Sequence, residues 1–515
     1  MNTTDFLMIA SAIVPDRVAM HFDGEEITFA DVQERVNRLA NGMADRGVGA
    51  GDRVAVMQVN CPEVIEAYFA IAQLDAIYVP INFRAKSEEL EQMLKVAQPS
   101  LLLIGERYLP LLDNGGSGIS TEQVVVLDGE APPSAMTYQD LIADAIPDQL
   151  HFAEAGDDDT TVIMFTAGTT GVPKGVMLTH DGFSSYLLAT VNPADPDIEE
   201  TNLLTVPLYH IAGLQAALAA VYGGRTLVVM RQFEPLEWMT LVQRYRVSRA
   251  MLVPTMLKHV MDHPRFEEFD LSSLEVMTYG AAPMPMEVIR EAIRRFPGAR
   301  FINAFGQTET ASTITMLPPE DHVLEGSPEE IETKLRRLTS IGKPLEDVEV
   351  RIVDEDGNPV KAGEVGEIVA RGTRMMRGYW QQEAATREAI RSGWIYTGDL
   401  GYQDEDSYIY LSGRAKDFIK RGGEMVSPEE VEQVLMAHPQ VEDAAVIGVP
   451  DVEWGEEVRA VVVRREDSVG EEDLIQYCQQ KLASYKRPRS VVFVDELPRN
   501  VMGKVLKRDL REQYG

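Results

Sequence analysis

The sequence has little cysteine and no long hydrophobic run. Its two cysteines, Cys61 and Cys478, lie far apart and form no CxxC pair. Neither a disulfide framework nor a cysteine-ligated metal site is therefore expected, and we expect a cytoplasmic protein kept in a reducing environment. The apolar run from Phe6 to Val14 follows no basic residue, ends at Pro15 and is too short to cross a bilayer. We expect it to form a helix packed into a core rather than a signal or membrane-spanning segment.

Positive charge, and lysine in particular, is also scarce. The 515 residues include 13 lysines and 35 arginines against 82 acidic residues, which gives a net charge of −34. A field of that sign repels nucleic acid and anionic membranes, so neither is an expected partner. Two basic islands stand out in this acidic chain. Arg414–Arg421 carries four basic side chains and one acidic one, and Arg499–Arg508 carries four basic side chains and no acidic one. Such islands indicate anion sites, with a solvated helix face as the alternative.

The length and the alternation of short apolar runs with amphipathic stretches predict an α/β fold of more than one domain. A chain of 515 residues exceeds what one hydrophobic core usually serves. Up to residue 306, strand-like runs alternate with helical patterns, which predicts layered and mostly parallel sheets. Period-two alternation from about Glu349 predicts a β-rich subdomain, and the last hundred residues predict a small α+β domain. We therefore divide the chain into an N-terminal domain, 1–413, and a C-terminal domain, 414–515.

A loop rich in glycine and threonine follows a predicted buried strand, Thr161–Thr166. The loop has one lysine and no acid, and glycines, hydroxyls and a single cation are typical of a polyphosphate cradle. It is not a Walker A loop, because Pro173 precedes the lysine and Gly175 follows it. A flexible surface turn is the alternative reading. The candidate phosphate contacts are Thr166, Gly168, Thr169, Thr170, Gly171 and Lys174.

Further glycine-punctuated segments follow in a fixed order. Two predicted strands, Leu274–Gly280 and Arg300–Gly306, end at glycine, and ligands of open α/β sheets bind beyond the carboxyl ends of strands. One binding site is therefore expected at these ends. The full set of later segments is Pro207–Gly213, Tyr279–Pro283, Asn303–Glu309, Gly393–Gly401, Gly413–Glu424 and Pro498–Lys504.

Together with the Gly/Thr loop, these segments resemble the adenylate-forming superfamily, which comprises acyl-CoA synthetases, firefly luciferase and peptide-synthetase adenylation domains. The resemblance covers essentially the whole chain, and the ordered set is specific although each piece alone is weak. It implies an AMP-forming carboxylate–CoA ligase, in which Mg-ATP and a carboxylic acid give an acyl-adenylate that CoA then attacks. ATP, Mg²⁺ and coenzyme A are the implied cofactors and co-substrate, and a homodimer is left open.

The resemblance also assigns roles around the phosphates. Glu309, with Thr170, is implied to hold Mg²⁺, and the Thr308 hydroxyl to contact the α-phosphate; Mg²⁺ commonly takes one or two carboxylates plus phosphate oxygens. Asp399 and Arg414 are implied to hold the ribose. In the family, a lysine in the last motif contacts the attacking carboxylate and the α-phosphate. The implied catalytic residues are Thr308, Glu309, His210 and Lys504.

Small residues at the end of the first glycine-terminated strand would let a flat base slide against the backbone. Phe305 could stack on the other face of the base, and Asn303 could read its amino edge. A buried core aromatic is the alternative for Phe305, because aromatic side chains are usually buried. The implied contacts are Gly280, Ala281, Ala282, Asn303, Phe305 and Gly306.

The acyl pocket is assigned by resemblance to His210, Gly213, Leu214 and Gly280. Peptide-synthetase domains tend to carry an aspartate in the segment around His210, and none is present, which disfavours an amino-acid substrate. The apolar neighbours favour a fatty or aryl acid. A structural histidine is the alternative for His210.

Lys416 resembles the family's hinge, about which the mobile C-terminal domain turns to admit CoA after adenylation. The segment that follows resembles the one that lines the pantetheine path, although basic loop residues are ordinary. Its candidate CoA contacts are Lys420, Arg421, Gly422 and Gly423.

Three other functions are weighed against the ligase. An acyl-AMP ligase would load a carrier protein instead of CoA, but no carrier domain is fused to this chain. A luciferase-like oxygenation is a remote third reading. An inactive nucleotide-binding scaffold predicts damage at the key polar residues, and all four are intact: Lys174, Glu309, Asp399 and Lys504.

Overall fold

The computed structural model describes residues 1–112, 118–166, 173–414, 417–421, 424–451, 454–465, 469–499 and 505–515. Its helices are α1 (Asp5–Ile13), α2 (Phe29–Ala44), α3 (Pro62–Gln73), α4 (Ser87–Ala97), α5 (Tyr138–Ala143), α6 (His180–Thr190), α7 (Ile211–Tyr222), α8 (Pro235–Tyr245), α9 (Pro254–Met261), α10 (Met286–Arg295), α11 (Pro328–Arg337), α12 (Glu383–Ala389), α13 (Pro428–Met436), α14 (Glu471–Gln479) and α15 (Lys507–Tyr514).

The strands are β1 (Val18–Phe22), β2 (Glu25–Thr28), β3 (Arg53–Met57), β4 (Ile77–Pro80), β5 (Leu101–Ile104), β6 (Val124–Val126), β7 (Met136–Thr137), β8 (Thr160–Thr166), β9 (Lys174–Thr179), β10 (Thr201–Leu204), β11 (Thr226–Val229), β12 (Arg249–Leu252), β13 (Val276–Gly280), β14 (Arg300–Gln307), β15 (Ser312–Leu317), β16 (Lys343–Pro344), β17 (Glu349–Val353), β18 (Gly366–Arg371), β19 (Gly378–Tyr379), β20 (Ile390–Arg391), β21 (Trp394–Gln403), β22 (Ile409–Arg414), β23 (Ile419–Arg421), β24 (Glu424–Val426), β25 (Val441–Asp451), β26 (Gly455–Arg464) and β27 (Ser490–Val494).

Two large mixed sheets form most of the N-terminal part. The first sheet has the order β16-β15-β14-β13-β12-β10-β11-β1-β2, and its strands from β14 to β1 run parallel. The second has the order β19-β9-β8-β4-β3-β5-β6-β7, with β8 and β9 forming an antiparallel hairpin. Parallel strands joined through helices are the arrangement that the alternating sequence predicts.

Two smaller sheets follow. The third sheet has the order β17-β18-β21-β20 with β22 beside β21, and it is the β-rich subdomain expected from the period-two alternation. The fourth has the order β24-β23-β26-β25 with β27 parallel to β26, and α13 and α14 pack against it. The predicted fold class, layered α/β sheets with a β-rich subdomain and a smaller α+β unit, is confirmed.

Local sequence explains where the elements begin. Thr28 caps α2: its hydroxyl accepts from Asp31 N at 3.1 Å, and the Asp31 carboxylate accepts from Thr28 N at 3.0 Å. Pro62 stands at the first turn of α3, where its missing N–H costs no helical hydrogen bond. All four residues of β5, Leu101–Ile104, are buried, as expected for a strand covered on both faces.

Helix α1 packs into the largest apolar cluster of the protein. Phe6 and Leu7 are 0% and 1% exposed, and the Phe6 ring centroid lies 5.1 Å from that of Tyr222 on α7. Burial of two such side chains stabilises the fold by roughly 1.5–3 kcal/mol each. The run Phe6–Val14 is thus the core-packing helix that the sequence predicts. Within the described ranges, no helix has the length and apolar character needed to cross a membrane.

Candidate active site

The carboxyl ends of the parallel strands β13 and β14 lie side by side in the first sheet. Strand β13 ends at Gly280, and β14 carries Gly306 next to its last residue, Gln307. A Cβ on Gly280 would lie 2.2 Å from Ala304 O, and one on Gly306 would lie 1.6 Å from Ser312 O. Neither position can therefore accept a side chain without moving the chain. Beyond Gly280, Ala281 is exposed and holds φ +65°, a left-handed angle that is uncommon for alanine. Strain of this kind is often stored at functional sites.

A 3-10 turn, Thr308–Thr310, follows β14 and carries Glu309. The turn is closed by Thr310, whose hydroxyl accepts from Gln307 N at 2.9 Å and lies 2.8 Å from Ser312 O. Met376 N donates to Glu309 O at 2.8 Å, which fixes the main chain from the other side. The half-buried Glu309 side chain therefore extends from a backbone that is anchored at several points. It is next in the chain to Thr308, the predicted α-phosphate contact.

Tyr379 connects Glu309 to Lys174. Its hydroxyl donates to Glu309 Oε1 at 3.0 Å, while Lys174 Nζ lies 4.7 Å from the centroid of its ring. Burial raises the pKa of the Tyr379 phenol, and the neighbouring Glu309 charge raises it further, so the hydroxyl stays protonated and donates. One aromatic side chain thus contacts both of the charged groups that the sequence singles out here.

The Gly/Thr loop begins and ends on the hairpin of β8 and β9, in which Thr166 pairs with Lys174. Short strand β19 pairs with β9 and brings Tyr379 opposite Val176, and Trp380 N donates to Gly175 O at 2.7 Å. The predicted phosphate contacts between the two ends of the hairpin lie outside the described residues: Gly168, Thr169, Thr170 and Gly171.

Asp399 on β21 reaches the same place from the third sheet. Gln307 Nε2 donates to Asp399 Oδ2 at 2.6 Å and to Thr397 O at 2.9 Å. Asp399 is only 7% exposed, and its backbone pairs with that of Arg414 on β22. The Arg414 side chain lies outside the described part of the chain. The contact through Gln307 joins the end of β14 to the candidate ribose carboxylate.

Two of the residues predicted to contact the adenine base, Asn303 and Phe305, are half-buried. Asn303 Nδ2 donates to Ser340 O at 3.3 Å. Phe305 packs against two small apolar clusters that include Ile341 and Val348. Its ring therefore has core contacts, and the base-stacking role stays a prediction.

His210 and Gly213 stand at the first turn of α7. A Cβ on Gly213 would lie 2.2 Å from Pro207 O, and the chain before the helix is held by Asn60, whose Oδ1 accepts from Leu208 N at 2.9 Å. The Tyr209 and His210 ring centroids are 4.2 Å apart. Leu214, the next predicted pocket residue, is buried.

The His210 imidazole is held in its neutral form. Removal from water lowers the pKa of His210 to about 3, with a smaller contribution from the Arg84 charge. Its Nε2 is buried and has no hydrogen-bond partner among the described residues. A buried nitrogen without a partner is costly, and a polar ligand atom would satisfy it.

The residues assigned to CoA lie in the C-terminal part. Arg421 forms a two-pronged ion pair with Glu457, at 2.9 Å from Nε and 3.0 Å from Nη2, and its guanidinium lies 5.4 Å from the Trp454 ring centroid. The remaining assignments fall outside the described residues, or, for Lys420, outside the described side chains: Lys416, Lys420, Gly422, Gly423 and Lys504.

Sequence reasoning missed two residues that the structure places at the site, Tyr379 and Gln307. Gln307 lies inside the segment Asn303–Glu309, so its position within that motif was an available signal. Tyr379 follows Gly378 in a two-residue strand with no periodicity to read. Its contact with Glu309 spans 70 positions of the chain, and no local pattern predicts it.

Comparison with known proteins identifies the family of the chain. The profile of the AMP-binding enzyme family matches residues 10–380, and that of the AMP-binding enzyme C-terminal domain matches residues 430–504. A feruloyl-CoA synthase of Amycolatopsis sp is 36% identical over 503 residues, which are 97% of this chain and 96% of the relative. An indoleacetate–CoA ligase of Aromatoleum aromaticum is 32% identical over 518 residues, 99% of this chain and 98% of the relative.

A solved structure is similar over the same length. The crystal structure of ATP-bound MatB from Rhodopseudomonas palustris superimposes with a TM-score of 0.87 at 30% identity, covering 100% of this chain and 99% of that one. The family profiles, the full-length relatives and the shared fold lead to one conclusion. The chain belongs to the AMP-binding enzyme family and, within it, to the AMP-forming acyl-CoA ligases.

Proposed function

We propose that this enzyme activates an apolar carboxylic acid, fatty or aryl, with Mg-ATP and passes the acyl group to CoA. One observation carries the proposal: Tyr379 contacts both Lys174 on β9 and Glu309 in the turn after β14, and Gln307, two residues before Glu309, donates to Asp399 on β21. An ammonium, a metal-binding carboxylate and a ribose-binding carboxylate are the groups that nucleotide activation needs in one place.

The chemical step joins two anions, so catalysis must come mainly from positioning and from neutralising charge. The carboxylate of the acid attacks the α-phosphorus, the bond to the β-phosphate oxygen breaks, and pyrophosphate leaves. We assign Lys174 to the departing phosphates, Thr308 to the α-phosphate and Lys504 to the charge that develops between acid and phosphorus. A preorganised cation at such a place lowers the activation free energy by on the order of 3 kcal/mol.

Magnesium fits the donors that the site offers. The carboxylate of Glu309 uses one oxygen to accept from Tyr379, and its other oxygen accepts no hydrogen bond from any described residue. Mg²⁺ binds proteins through one or two carboxylates and otherwise takes phosphate and water oxygens. We propose that Glu309, with Thr170, would hold the ion, which when bound neutralises phosphate charge.

The nucleoside is assigned to the neighbouring groups. Asp399 accepts from Gln307 and has lone pairs suited to a ribose diol. We propose Arg414, whose backbone pairs with that of Asp399, as the second ribose contact. We propose that the adenine base lies along the backbone of Gly280, Ala281 and Ala282. The roles of Asn303, Phe305 and Gly306 in holding that base are part of the same proposal.

The acid is assigned to the pocket at the start of α7. A neutral His210 beside Gly213 and Leu214 suits an uncharged acyl chain or ring better than an amino acid, since it offers no counter-charge for an ammonium group. Aryl acids are the first candidates, because the two relatives described above are named for ferulate and indoleacetate.

The second half-reaction is assigned to the state reached after the C-terminal domain rotates. We propose the division at 413 and 414, with the hinge at Lys416 and the CoA path along Lys420, Arg421, Gly422 and Gly423. Arg421 is paired with Glu457, so it would have to share or exchange that partner to reach CoA. We also propose a cytoplasmic location, supported by Cys61 and Cys478, which are buried and form no disulfide. A homodimer is a further proposal, and light scattering would test it.

A substrate panel tests the proposal. Pyrophosphate release would be measured with C2–C16 fatty acids, benzoates, cinnamates and indole acids, with hydroxylamine as trap and with or without CoA. We expect one class to be active, with thioester formed only when CoA is present. Pyrophosphate release without thioester, restored by a holo carrier protein, would move the assignment to an acyl-AMP ligase. No adenylation of any acid at millimolar ATP and Mg²⁺ would refute it.

A further inference from the structure

We propose that Tyr379 is a positioning residue that orients the Glu309 carboxylate and keeps it apart from the Lys174 ammonium before ATP binds. Its hydroxyl donates to Glu309 Oε1 at 3.0 Å and its ring faces Lys174 Nζ at 4.7 Å. The inference rests on the proposed function, because it assigns work within the same site. It adds a residue that no motif in the sequence marks.

The backbone around Tyr379 is fixed on several sides. Tyr379 N donates to Thr386 Oγ1 of α12 at 2.9 Å, and its strand pairs with β9 in register with Val176. Gly378 holds φ +145°, where a Cβ would lie 2.7 Å from the Thr386 side chain, so glycine is needed for this approach. A two-residue strand is too short to hold its own position, and these contacts supply the rigidity that a positioning residue requires.

Separation matters because Lys174 and Glu309 carry opposite charges. No ion pair joins them in the described structure, although both contact the same tyrosine. A direct pair would neutralise the ammonium that the phosphates need and occupy the carboxylate that the metal needs. A neutral phenol satisfies one carboxylate oxygen without cancelling its charge, and an aromatic face attracts a cation without binding it as tightly as a carboxylate does.

The Tyr379 hydroxyl donates to Glu309 as a neutral phenol. Burial raises the pKa of the Tyr379 phenol, and a carboxylate at hydrogen-bond distance raises it again. Among the described charged side chains, Glu309 and Lys174 contact Tyr379.

Two substitutions separate the hydroxyl from the ring. Tyr379→Phe keeps the ring against Lys174 and removes the donor to Glu309, so metal affinity in the nucleotide complex should fall about tenfold, as for one lost hydrogen bond to a carboxylate. Tyr379→Leu removes the ring too, so Lys174 should approach Glu309, and metal-free ATP should also bind more weakly. Neither change should alter the KM for the acid.

Direct binding gives the readout. Free Mn²⁺ would be measured by electron paramagnetic resonance during titration of each variant with α,β-methylene-ATP present, and metal-free nucleotide binding by calorimetry. Tyr410→Phe is the matched control. The Tyr410 hydroxyl also donates to a carboxylate, Asp404 Oδ2, at 3.1 Å, and this pair is not part of the site. Tyr410→Phe should leave Mn²⁺ affinity unchanged, and Glu309→Gln should abolish the tight metal site.

The outcomes distinguish this inference from the proposed function. Unchanged Mn²⁺ affinity in Tyr379→Phe, with loss in Glu309→Gln, would overturn the role of Tyr379 and leave the ligase assignment intact. Absence of a nucleotide-dependent Mn²⁺ site in the unsubstituted enzyme would overturn both. If Tyr379→Phe lowers the melting temperature by more than the control does, Thr386→Ala provides the second test: it frees the Tyr379 backbone, and we expect a smaller loss of metal affinity.

Discussion

His210 illustrates how burial alone can set the state of a residue. Its folded pKa of about 3 lies below the ordinary value of 6.5, because the buried ring loses hydration that the imidazolium would need. His210 is therefore neutral in the folded protein at every pH where the enzyme would work. Stability linked to His210 is complete above about pH 6.5 and is lost as the pH falls from there toward 3.

The pH dependence of adenylation should accordingly show no limb from His210. Between pH 5 and 9, His210→Gln should lower kcat/KM for the acid by about tenfold through lost pocket contacts, while the shape of the profile is unchanged. Pyrophosphate release measured at fixed ionic strength in both proteins checks this. An acidic limb near pH 6.5 that disappears in His210→Gln would contradict it.

Individual site residues could be predicted from sequence where they lie inside a recognisable segment. Glu309 and Asp399 are of this kind: Glu309 follows Thr308 after a predicted strand, and Asp399 follows Gly398 within the segment Gly393–Gly401. Their roles stay predictions. Tyr379 could not be predicted, since its role depends on two partners that are distant in the chain. The strained angle at Ala281 was equally hidden, because alanine is a residue that normally avoids it.

Helix α3 carries an ionisable side chain into the core. Glu66 is 0% exposed; the Tyr138 hydroxyl donates to it, and Arg35 lies 3.4 Å away. Burial raises the pKa of the Glu66 carboxyl to about 7, with a smaller upward contribution from Glu63 and opposing ones from Tyr138 and Arg35. The protonated form is favoured by folding. Stability from this group is present below about pH 4.5 and is lost as the pH rises through 7.

Glu66→Gln should remove that part of the pH dependence. The amide keeps an acceptor for Tyr138 and carries no charge, so the variant should be more stable at pH 8 by on the order of 2 kcal/mol, reduced by the lost pairing with Arg35. Urea unfolding of both proteins at pH 5 and pH 8 measures how the free energy of unfolding of each changes with pH. Glu63→Gln on the same helix serves as the control, and equal destabilisation of Glu66→Gln at both pH values would count against a buried charge.

Elements were predictable wherever a periodic pattern extended over several residues. The predicted strand Arg300–Gly306 forms β14, and the predicted helix at Phe6–Val14 forms α1. Strand β19 has two residues and no period, yet it completes the sheet that holds the Gly/Thr loop. Short strands of this kind form because tertiary partners favour them, and sequence patterns do not report those partners.

At the scale of the molecule, the proposed division into two domains separates the two half-reactions. Lys416→Pro should restrict the rotation that brings the CoA path into place, so adenylation should continue at near its normal rate while thioester formation falls by at least tenfold. Lys504→Ala should do the reverse, blocking adenylation while CoA still attacks supplied acyl-AMP. Each half-reaction is measured separately, by pyrophosphate release and by consumption of synthetic acyl-AMP.

The pair of variants acts as its own control. Loss of both half-reactions in either protein would point to general damage, which circular dichroism and melting curves would reveal. An unchanged overall rate in Lys416→Pro would remove the hinge from that position. Loss confined to acyl-AMP consumption in Lys504→Ala would reverse the assignment of the two faces.

The pairing of β19 with β9 also has a consequence during synthesis on the ribosome. The hairpin that flanks the Gly/Thr loop is translated about two hundred residues before Tyr379, so its outer edge stays unpaired while the intervening chain emerges. An unpaired edge can recruit other strands, and the nascent chain must protect it until β19 arrives. We therefore expect nucleotide binding to arise late in synthesis, after residues near 380 have left the exit tunnel.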